Sequence, residues 1–75
     1  MWHQYLVILR GSSTDVTALR QLGMGTTRET FSHISTQHWP EYDQIGISFS
    51  TQLNQIGLLA SLLSRGKIIW FQEVR

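Results

Sequence analysis

The sequence predicts an α+β fold with elements in the order β-α-β-β-α-β. Three observations predict it. Aromatic and β-branched residues cluster at both ends and in the middle of the chain, where strands belong. Two segments between them carry apolar residues at helical spacing, each closed by glycine. The connections are short, so 75 residues hold six elements and little else.

Residues 2–10, WHQYLVILR, read as the first strand. GSSTD at 11–15 breaks it and opens a helix. Ser12 or Ser13 is suited to the cap, because a short side-chain oxygen accepts from a free first-turn N–H. Val16, Leu19 and Leu22 then make residues 14–22 a short amphipathic helix, stopped at Gly23-Met24-Gly25. Residues 26–39 read as a polar strand. Phe31 and Ile34 fall on opposite faces of it, which points to a bulge. PEYD at 40–43 holds the single proline and reads as a turn. In QIGISFS, 44–50, Ile45, Ile47 and Phe49 alternate with Gln44, Gly46 and Ser48, the pattern of a half-buried strand. Ser50 or Thr51 would cap a second helix over 52–64, Gly66 would end it, and KIIWFQEVR, 67–75, is the last strand.

With short connections this order fits a ferredoxin-like plait, a single domain over 1–75. The expected sheet is antiparallel, ordered 4-1-3-2, with both helices on one face. A plait hosts many unrelated functions, so the architecture names no activity.

Two surfaces are more apolar than water requires. Strand one carries Leu6 and Ile8 on one side and Tyr5, Val7 and Leu9 on the other. The last strand carries Ile68, Trp70 and Val74 against Ile69 and Phe71. Whichever register holds, the half of the free face formed by these two strands is expected to show apolar groups, and a contiguous patch of that kind marks an interaction site. On the second helix Ile56, Leu59, Ala60 and Leu63 can face the sheet, which sets Leu58 and Leu62 outward. No residue from Gln44 to Ser64 is charged. The expected partner-binding residues are therefore Tyr5, Leu58, Leu62, Ile69, Trp70 and Phe71.

Other chemistry finds less support. Cysteine is absent, which removes disulfides and thiolate metal sites. His33 and His38 are five apart, so a regular strand points them to opposite faces, and His3 is distant in sequence. No metal site, cofactor or catalytic residue is expected: there is no nucleophile elbow, and no pair of acids in contrasting surroundings. Arg10, Ser12 and Ser13 could hold an anion at the first helix start, but capping accounts for the serines at lower cost. Six Lys and Arg against five Asp and Glu give a net charge of +1, with the cations scattered. That is a weak footprint for nucleic acid. No apolar run is long enough to span a bilayer, and no leader peptide is visible at Met1.

These features lead to a small, non-catalytic, cytoplasmic module that binds a protein partner as an adaptor or inhibitor, and that self-associates through an apolar sheet face. A single-stranded nucleic-acid-binding plait is the alternative. It would stack bases on Trp2, Tyr5, Trp70 or Phe71, with Arg65 and Lys67 near the backbone.

Overall fold

Four strands form where the sequence alternates most cleanly: β1 His3–Arg10, β2 Ser32–Trp39, β3 Gln44–Thr51 and β4 Trp70–Val74. The computed structural model describes residues 1–11 and 31–74. All neighbouring pairs are antiparallel, in the order β2-β3-β1-β4. One short helix, α1 Ile56–Ser64, packs on one face.

The expected ferredoxin-like plait, a sheet ordered 4-1-3-2 beneath two helices, is corrected by this arrangement. The described residues hold a four-stranded antiparallel sheet with one short helix. The helix expected over 14–22 lies outside the described residues, as do its capping serines. The second is shorter than its apolar pattern suggested. Thr51 Oγ1 accepts from Leu53 N–H at 3.3 Å, and Asn54 Oδ1 from Ile56 N–H at 3.0 Å. These side chains turn the chain locally, so the helix begins only at Ile56.

Its other end follows the glycine. Gly66 takes φ +73°, Lys67 N–H donates to Leu62 O at 2.9 Å, and Gly66 N–H donates to Leu63 O at 3.1 Å. This paired closure is a Schellman motif. The PEYD turn forms a single 3-10 turn over Pro40–Tyr42, and Asp43 leaves it at φ 52°. The bulge in β2 is present: Ser32 pairs with Ser50 but Ser35 with Ser48, and His33 sits at φ 53°.

Register settles the faces. Tyr5 lies opposite Phe49, Val7 opposite Ile47 and Leu9 opposite Ile45, and all six are buried. With Leu59, Leu62 and Ile68 they make the core, and Phe31, Leu58 and Phe71 pack against it. Phe49 is its aromatic centre, 5.8 Å from the Tyr5 ring and 5.1 Å, edge to face, from Phe31. The buried Tyr5 hydroxyl accepts from Gln55 N–H at 2.8 Å, tying the start of α1 to β1.

Candidate interaction face

Opposite residues in an antiparallel pair point to the same side. The face away from α1 can therefore be read as rows crossing the sheet. One row is Gln37, Gly46, Ile8, Trp70. The next is Ser35, Ser48, Leu6, Gln72. Ser32, Ser50, Gln4 and Val74 follow, and Trp39, Gln44 and Arg10 close the other end. Trp70 is 42% exposed and Val74 38%, while Leu6, Ile8 and Trp39 are half-buried. Arg10 is the one described Lys or Arg on these rows.

The β2–β3 half holds a groove of about 280 Å³, lined by Leu6, Ser35, Gln37, Trp39, Gly46 and Ser48, with Thr36 at its edge. A Cβ built on Gly46 would stand 3.0 Å from Trp39 Cζ3 and 3.1 Å from Cη2, and no other ring atom comes as near. The indole therefore meets Gly46 with the edge of its six-membered ring. Glycine at this position lets the ring lie close to the strand. No lining residue is charged.

No protein-family model, curated protein or solved structure matches the chain. What the face can do is read from its own residues.

Of the six residues expected to bind a partner, Trp70 alone is exposed on the free face. Tyr5 and Leu62 are in the core, at 0% and 1% exposure, so neither is available to a partner. Phe71, opposite Val7, points to the helix side and packs against the core, and Leu58 packs there too. Ile69 is half-buried, and its N–H donates to Ile8 O at 2.7 Å where β4 begins. The helix wheel is thus rotated from expectation: Leu59 and Leu62 face inward, while Ile56 and Leu63 are exposed. The large apolar residues of α1 share one side centred on Leu59 and Leu62; counting Leu53, which precedes the helix, into that side turned the expected wheel. Ile68 also departs from simple alternation. It precedes β4, and its side chain enters the core instead of joining Trp70.

Leu6, Ile8, Trp39 and Val74 were the residues sequence reasoning missed. Pairing Tyr5, Val7 and Leu9 with the alternation of β3 would have placed Leu6 and Ile8 outside. A glycine inside a strand signals close approach of another group, so Gly46 was a signal that a side chain such as Trp39 lies against β3.

Other clusters are sparse. Arg10 is exposed, but Ser12 and Ser13 lie outside the described residues, so the expected anion site is not described. His3 Nδ1 lies 3.6 Å from Glu73 Oε1, and its ring stacks on Tyr5 at 6.1 Å. Among the described residues no three His, Asp or Glu side chains gather as a metal site would require. No helix among them is long and apolar enough to cross a membrane.

Proposed function

We propose that this chain is a small, non-catalytic, cytoplasmic module that binds protein through its free sheet face. The observation that carries the reading is the apolar strip of Leu6, Ile8, Trp70 and Val74 on adjacent strands, with Trp70 and Val74 exposed. An apolar patch of this kind on a small domain favours an interaction surface, and a projecting tryptophan is the residue type that anchors one. Self-association through the same face is part of the reading. An adaptor or an inhibitor of a larger assembly fits a domain of this size that works by covering surface.

Affinity capture with mass-spectrometric identification tests it, comparing wild type with Trp70→Glu and with Tyr42→Glu. Tyr42 is 68% exposed on the 3-10 turn, away from the strip. A protein, or a second copy of the chain, recovered by wild type and Tyr42→Glu but lost with Trp70→Glu supports the face. Equal recovery by all three removes it. Nucleic acid has weaker support, because Arg10 is the one described cation on the rows and phosphate contacts need several.

A further inference from the structure

We draw no further inference here: the strongest candidate, the apolar strip of Leu6, Ile8, Trp70 and Val74 on the free sheet face with the groove beside Trp39, belongs to the surface already described, and nothing in the structure shows what covers it.

Discussion

An added Cβ at Gly46 would stand 3.0 Å from Trp39 Cζ3, so tight a contact that the ring would have to give way slightly. The indole is half-buried and held on an edge strand, so it can move, but only by opening the groove it borders. Gly46→Val should therefore destabilise by about 1–2 kcal/mol through overpacking, against a smaller gain from β propensity. In a Trp39→Ala background the same change should be neutral or stabilising. Urea unfolding of the four proteins gives the coupling directly, and equal effects in both backgrounds would show that the ring and the glycine are independent. A second residue-scale expectation concerns Tyr5. Its hydroxyl is the acceptor for the buried Gln55 N–H, so Tyr5→Phe should cost about 1–2 kcal/mol while keeping the ring in place. This bond links residues fifty apart, and no local pattern announces it. Sequence reasoning offered Tyr5 as a surface anchor because an aromatic residue on an ambiguous strand can face either way. The hydroxyl partner that settles its direction is a tertiary fact.

At the scale of elements, the strands with clean alternation were legible and the helix was not. Ile45, Ile47 and Phe49 are all buried, as their period of two required. The bulge in β2 was readable because Phe31 and Ile34 conflict in phase. Helix α1 misled because Thr51 and Asn54 delay its start, so that Leu53, counted into the expected apolar face, lies before the helix; the leucines and isoleucine within α1 share one side, with Leu59 and Leu62 at its middle. Its end was fixed by Gly66, whose left-handed φ of +73° is costly for any residue with a Cβ. Nothing lies within 4 Å of a Cβ built there, so strain, not collision, is the effect of Gly66→Ala. The expected loss is about 1 kcal/mol, seen as a lower urea midpoint with an unchanged slope. A drop in slope would mean that the native or denatured ensemble had changed instead. The last strand failed in phase for a related reason. Ile68 precedes β4 and turns into the core, so counting alternate residues from Lys67 assigned it to the wrong side.

At the scale of the molecule, the described residues form a sheet with one face around an aromatic core and one face apolar in half its width. A domain of 75 residues has a total stability of only about 4–11 kcal/mol. Phe49→Ala, which empties the meeting point of Tyr5 and Phe31, should cost about 3–5 kcal/mol and leave much of the chain unfolded at 37 °C. With so narrow a margin, association contributes visibly to stability. A partner that binds only the folded chain raises its melting temperature by mass action. For a dimer, each tenfold rise in protein concentration adds about 0.7 kcal/mol per subunit once pairing is established. In a chain of this length that moves the midpoint by about 3–5 °C. Wild-type protein should therefore melt later as it is concentrated, with Trp70→Ala melting at one temperature throughout. Trp70 is exposed in the single chain, so its removal should leave the dilute-limit melting temperature almost unchanged. A variant that instead melts lower at every concentration would place Trp70 in the fold itself, not in the contact between folded chains.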